Sequence, residues 1–195
     1  MFRPTQILLL ALALPAMAQR DPWAESYRYE AQKNYAQAAQ ALQALPQTFE
    51  LVQLRQAYLA YLQGRHDEAI KGYRKALETN PLSLDAQLGL PLPLLAQRRW
   101  NEAAVECRKV IHQCAWNYWA HLRLLVAEEG LQQWKTLAAH GKELALRYPS
   151  DASAFVYWAR GEARSGNRDE ASRAYQRVLQ LYPGHKEASD FLAGR

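Results

Sequence analysis

Prolines on a fixed grid constrain this chain more than any other feature. Pro81 and Pro149 lie 68 residues apart, and Pro183 follows 34 residues after Pro149. The slot between the first two, position 115, holds Ala in the turn Gln113-Cys114-Ala115-Trp116. A chain that advances in steps of 34 stacks copies of one supersecondary unit, each burying its apolar face only against its neighbours.

Side chains keep the same phase. One copy reads Gly64-Arg65-His66-Asp67-Glu68-Ala69-Ile70, then Tyr73, Ala76 and Asn80-Pro81. Another reads Gly166-Asn167-Arg168-Asp169-Glu170-Ala171, then Tyr175, Val178 and Tyr182-Pro183. A small residue lets two helices cross closely, an aromatic one turn later fills the next gap, and proline stops the helix. This resembles the second helix of a tetratricopeptide repeat. Weaker copies open at Trp100-Asn101-Glu102-Ala103, with Cys107 and Val110, and at Trp134, with Leu137, Gly141 and Leu144. In the latter, Leu in the small slot and Gly in the aromatic slot read as a compensating pair. A degraded first copy runs Asn34-Tyr35-Ala36-Gln37-Ala38, then Leu42 and Leu45-Pro46, with a shorter second helix. Ala and Leu dominate the apolar residues, and nothing alternates with period two for long. The expected fold is all-α: an antiparallel helix-pair solenoid similar to the tetratricopeptide superhelix, with about five repeats. The expected repeats are 19–47, 48–82, 83–116, 117–150 and 151–184. Residues 185–195, with Ala188, Phe191 and Leu192, read as a terminal helix capping the last apolar face.

Residues 1–18 read as a signal peptide rather than as fold. Arg3 gives a basic start, Ile7 to Leu14 is an apolar run of eight, and Ala16-Met17-Ala18 fits the small-x-small cleavage rule before Gln19. Eight apolar residues are too few for a bilayer core that takes about twenty. No Cys follows the cleavage site, and no later stretch is long and apolar enough to cross a membrane. The chain therefore reads as an exported bacterial protein, soluble in the periplasm. Without the leader, 23 basic residues face 19 acidic ones, a mild excess that does not argue for nucleic acid.

The third repeat departs from the pattern. Ser83 can cap its first helix, and Leu84, Leu88 and Leu95 follow helical spacing, yet Pro91 and Pro93 fall inside it. They remove the donors that would serve the carbonyls of Gln87 and Gly89. The helix is expected either to kink here or to start later than its counterparts. The kink is either a local defect tolerated by packing or a device that opens a groove and points freed carbonyls at a partner.

Chemistry is sparse. His66, His112, His121, His140 and His185 are scattered, and the nearest approach to a metal motif is His112, Cys114 and His121. There is no phosphate loop, nucleophile elbow or paired-Cys motif. Cys107 and Cys114, seven apart, are too distant on a straight helix for a disulfide unless the chain turns back at Cys114. No catalytic residue, metal or cofactor is expected.

Stacked helix pairs form a curved array with the first helices lining its concave side. The resemblance implies that this side binds peptides or protein domains. Projecting the 34-residue register gives Leu88 and Leu92, then Trp119, Leu122, Arg123 and Val126, then Val156, Tyr157, Arg160 and Arg164. This line is apolar in the middle and basic towards the C-terminus. It suits an extended or helical segment with aliphatic or aromatic anchors near Trp119 and acidic residues near Arg160 and Arg164. Leu54, Tyr58, Leu88 and Leu92 offer no clamp for an acidic peptide terminus. The resemblance implies a protein-interaction scaffold in an envelope assembly or export system, or else a chaperone-like assembly factor for exported or haem-bearing clients.

Overall fold

The computed structural model describes residues 21–195; the leader assigned to residues 1–18 lies outside them. Helices follow one another in antiparallel pairs. The first pair is α1 (Pro22–Ala31) with α2 (Tyr35–Ala41), extended by a 3-10 turn at Leu42–Ala44. Next come α3 (Glu50–Leu62) with α4 (His66–Thr79), and α5 (Leu84–Gly89) continued by α6 (Pro91–Ala96) with α7 (Trp100–Gln113). Then come α8 (Tyr118–Gly130) with α9 (Trp134–Arg147), α10 (Ala152–Arg164) with α11 (Arg168–Leu181), and a last helix α12 (Lys186–Leu192). Strands are absent from the described residues.

The period of 34 is written into the backbone as well as the side chains. Within the pairs the chain turns through a left-handed residue at Gly64, Arg98, Gln132 and Gly166, with φ of 75°, 58°, 57° and 87°. Each turn is closed by a hydrogen bond from the next residue's N–H to the carbonyl five back, such as Arg65 to Ala60 and Gln133 to Glu128. Second helices end at Asn80, Cys114, Tyr148 and Tyr182, all with φ between −122° and −139° and ψ between 71° and 89°. The Ala115 slot lacks proline, and side chains hold its turn instead. His121 bonds the Ala115 carbonyl at 2.9 Å, and the Tyr148 hydroxyl donates to the Trp116 carbonyl at 3.1 Å.

The first helices of the last three repeats start on side-chain caps. Ser83, Asn117 and Asp151 accept from the backbone of Ala86, Ala120 and Ser153. The third repeat's first helix therefore starts at Leu84, in phase with the others, rather than late. It is interrupted only at Leu90, whose φ −56° and ψ −41° remain helical. Pro91 opens the second half, where a missing N–H costs least, and both Pro91 and Pro93 are buried.

Three apolar clusters overlap along the stack. Leu42, Val52 and Leu59 hold the first. Tyr73, Leu90, Leu94, Cys107 and Leu124 hold the second, and Leu125, Leu137, Phe155 and Tyr175 the third. Adjacent residues of α8, Leu124 and Leu125, serve different clusters, so this helix joins the middle to the end. Ala69, Ala103 and Ala171 are fully buried where helices cross. At the α9–α10 crossing the small residues are Gly141, against the Tyr157–Trp158 backbone, and Gly161, against Ala138. This is how the fourth repeat accommodates Leu137 in the slot that elsewhere holds Ala.

Candidate functional site

The ten residues projected from the repeat register lie on the first helices α5, α6, α8 and α10. Trp119 is 57% exposed at the start of α8, with Tyr118 edge-on at 5.2 Å. Leu122 and Val126 are half-buried one and two turns on, as are Leu88 and Leu92. Val156 is buried in the C-terminal cluster and Tyr157 half-buried beside it. The line therefore offers one protruding aromatic over a floor of half-covered aliphatic side chains.

Its basic residues differ from one another. Arg160 is held by two carboxylates, Glu129 at 3.1 Å and Glu187 at 2.6 Å, so its charge is met within the protein. The Glu187 hydrogen bond raises the guanidinium above its ordinary range. Arg164 is exposed and lies over the Trp134 ring at 5.5 Å. Arg123 donates to the Leu88 carbonyl at 2.6 Å and sits 5.9 Å from the Trp119 ring. Burial lowers its guanidinium below the usual value, and no carboxylate pairs with it among the described residues. A carbonyl in the proline-interrupted stretch is thus satisfied from α8, 35 residues away.

A second feature lies N-terminal of these residues. Trp23 and Tyr27 of α1, Leu51, Leu54, Arg55 and Tyr58 of α3, Tyr73 of α4 and Asp85 of α5 enclose a cleft of about 470 Å³. Leu54 and Tyr58 stand on the projected line. Trp23, Tyr27, Arg55, Tyr73 and Asp85 do not follow from the sequence reading. Trp23 and Tyr27 belong to the first repeat, whose short second helix shifts the register by a few residues. Tyr73 reads from sequence only as a gap filler, a role its ring does play against Gly89.

The histidines are not all scattered. The α8–α9 pairing brings His121 and His140 together, Nδ1 to Nε2, at 2.8 Å. His140 Nδ1 meets buried Glu128 at 2.8 Å, while His121 Nε2 meets the Ala115 carbonyl. Both His121 nitrogens are engaged in this way rather than with His112 or Cys114. Among the described residues no cluster of three His, Cys, Asp or Glu side chains is arranged to hold a metal. Cys107 is buried and Cys114 exposed, both free; burial pushes the Cys107 thiol up to about 12. No described helix is long and apolar enough to cross a membrane.

Helix pairs stacked in this way, with side chains presented from their first helices, define a solenoid of tetratricopeptide type, a fold that supports protein-interaction scaffolds. Residues 51–83 and 153–185 match the tetratricopeptide repeat family. In fold the chain is similar to MamA from Desulfovibrio magneticus RS-1, with 15% identity, a TM-score of 0.74, and 83% of this chain and 93% of that one covered. It is also similar to YrrB, described as a TPR protein with an unusual peptide-binding site, with 14% identity, a TM-score of 0.71, and 88% and 90% covered. TTC0263, a thermophilic TPR protein of Thermus thermophilus, matches with 17% identity, a TM-score of 0.67, and 89% and 96% covered. At these identities the likeness concerns the fold. A search of curated proteins returned no match. The chain thus carries two stretches that match the tetratricopeptide repeat and has the fold of tetratricopeptide-repeat proteins.

Proposed function

We propose that this chain is an exported scaffold that holds a polypeptide along its first-helix face, in the service of an envelope assembly or export system. Trp119 carries this reading. A large aromatic more than half exposed, flanked by half-buried Leu122 and Val126, is the geometry of an interface anchor. The peptide-binding site in YrrB's description supports the same use of the fold. Export rests on the leader reading of Met1 to Ala18 and predicts a mature N-terminus at Gln19. The acidic contacts of the partner are assigned to Arg123 and Arg164, because Arg160 is already neutralised by Glu129 and Glu187.

The test places a photo-crosslinking amino acid at Trp119 and, as a control, at Val105, which is 49% exposed on the second helix α7. In the exporting host a discrete adduct is expected from position 119 and none from 105. Equal labelling at both positions, or none at either, overturns the reading. A broad smear of clients at 119 alone would favour the chaperone-like role.

A further inference from the structure

The cleft between α1, α3 and the start of α5 is built to take a charged side chain. Tyr73, its floor, is only 3% exposed, yet its hydroxyl makes no hydrogen bond among the described residues and is not sealed from the cleft. A hydroxyl kept unpartnered in so buried a side chain leaves a hydrogen bond for a ligand to make. The charges on the walls are unequal as well. Arg55 lies over the Tyr27 ring at 4.0 Å, bonds the Ser26 hydroxyl at 3.2 Å and is ion-paired with Glu30. Its charge is therefore met by Glu30, although its Nη2 is buried and makes no hydrogen bond among the described residues. Asp85, at the rim, has no ion-pair partner among the described residues. Tyr27 is exposed, with Trp23 and Tyr58 half-buried, so aromatic surface surrounds that carboxylate.

We propose that this cleft is a pocket for a basic side chain, lysine or arginine, of the polypeptide held on the first-helix face. The alkyl stem lies on Leu51 and Leu54, the cationic head meets aromatic faces, and it donates to the Asp85 carboxylate and the Tyr73 hydroxyl oxygen. The volume of about 470 Å³ admits such a side chain with its flanking backbone. The field of Arg123 also reaches Tyr73, but Arg123 is not among the lining residues, and its unpaired charge is the one assigned above to an acidic residue of the partner. The pocket therefore adds a basic position to the acidic one assigned opposite Arg123. The inference rests on the scaffold reading above.

The probes are three capped tripeptides, Ala-X-Ala, with X as lysine, norleucine or glutamate, titrated into the folded protein by NMR. The lysine peptide should shift the Trp23 indole N–H and the amides of Leu54, Tyr58 and Asp85. Norleucine should bind about fivefold more weakly, and glutamate weaker still. Asp85→Asn should cost the lysine peptide roughly five- to tenfold in affinity and Tyr73→Phe about two- to threefold. Tyr73→Phe loses no internal hydrogen bond, so its melting temperature should match that of the wild type. Equal binding of norleucine, indifference to Asp85→Asn, or shifts confined elsewhere would overturn the pocket. A pocket that fails while Trp119 still traps a partner leaves the scaffold reading standing. A pocket that binds lysine while Trp119 traps nothing leaves the pocket and removes the scaffold reading.

Discussion

Trp119 separates packing from binding at the scale of one residue. An interior Trp replaced by Ala costs about 3–5 kcal/mol. Trp119, at 57% exposed, touches Tyr118 by its edge and Arg123 at 5.9 Å and belongs to none of the three core clusters. Trp119→Ala should therefore change the unfolding free energy by less than about 1 kcal/mol, while weakening a crosslinked partner by about tenfold or more. Denaturant melts and calorimetry on the same sample decide it. Full stability with undiminished affinity would remove Trp119 from the interface. That position 119 falls on a first helix was legible from the 34-residue register. Arg160 was legible as a position but not as a charge state, since its partners Glu129 and Glu187 come from other repeats. The Glu128–His140–His121 set was hidden because it forms only when the two helices of one repeat pair, and the Arg123 bond to Leu88 because it joins two repeats.

Helix crossings are where the repeat pattern becomes energy. Ala69 and Ala171 are fully buried at equivalent positions of α4 and α11. Ala69→Leu and Ala171→Leu should each destabilise by about 1–3 kcal/mol through overpacking. Gly161→Ala belongs with them, because its added Cβ would collide with the backbone of Ala138. The same substitution at Gly64 tests something else: there the space is open and only the φ of 75° penalises a side chain. Melting curves of this set that show no change at Ala69 and Ala171 would mean the crossings are not as close as drawn. Prolines and the small-then-aromatic pattern made these elements readable. Pro91 and Pro93 left two outcomes open, a kink or a late start, because sequence prices an interior proline as a defect; the helix starts in phase and is interrupted at Leu90. Here the interruption falls at one residue that keeps helical angles, and the proline rings fill the core.

A stack bound only through nearest neighbours is weakest at its ends, and the C-terminal end hangs on one ionised contact. The last helix, α12, buries Ala188 and sets Phe191 against Tyr175 at 4.8 Å, a small apolar area for a helix of seven residues. Its polar hold is Glu187, which accepts from Arg160 and, at 2.6 Å, from the Tyr175 hydroxyl. The Arg160 hydrogen bond, more than any other cause, keeps the Glu187 carboxyl below its ordinary value. A carboxylate depressed in the folded state contributes its stabilisation above the unfolded value, near 4.3. That contribution is lost as pH falls through the lower folded value. At 36% side-chain exposure the pair is partly screened, so the effect is about 0.2–1 kcal/mol. Glu50 and Glu102 are depressed too, in other repeats, so a global acid melt would mix three sites. A local readout isolates this one: hydrogen exchange at the amides of Ser189 to Leu192, in wild type and in Glu187→Gln. At pH 7 the wild type should be better protected, and the gap should close as pH falls below about 4. Protection that is equal at pH 7 would mean that apolar packing alone caps the stack.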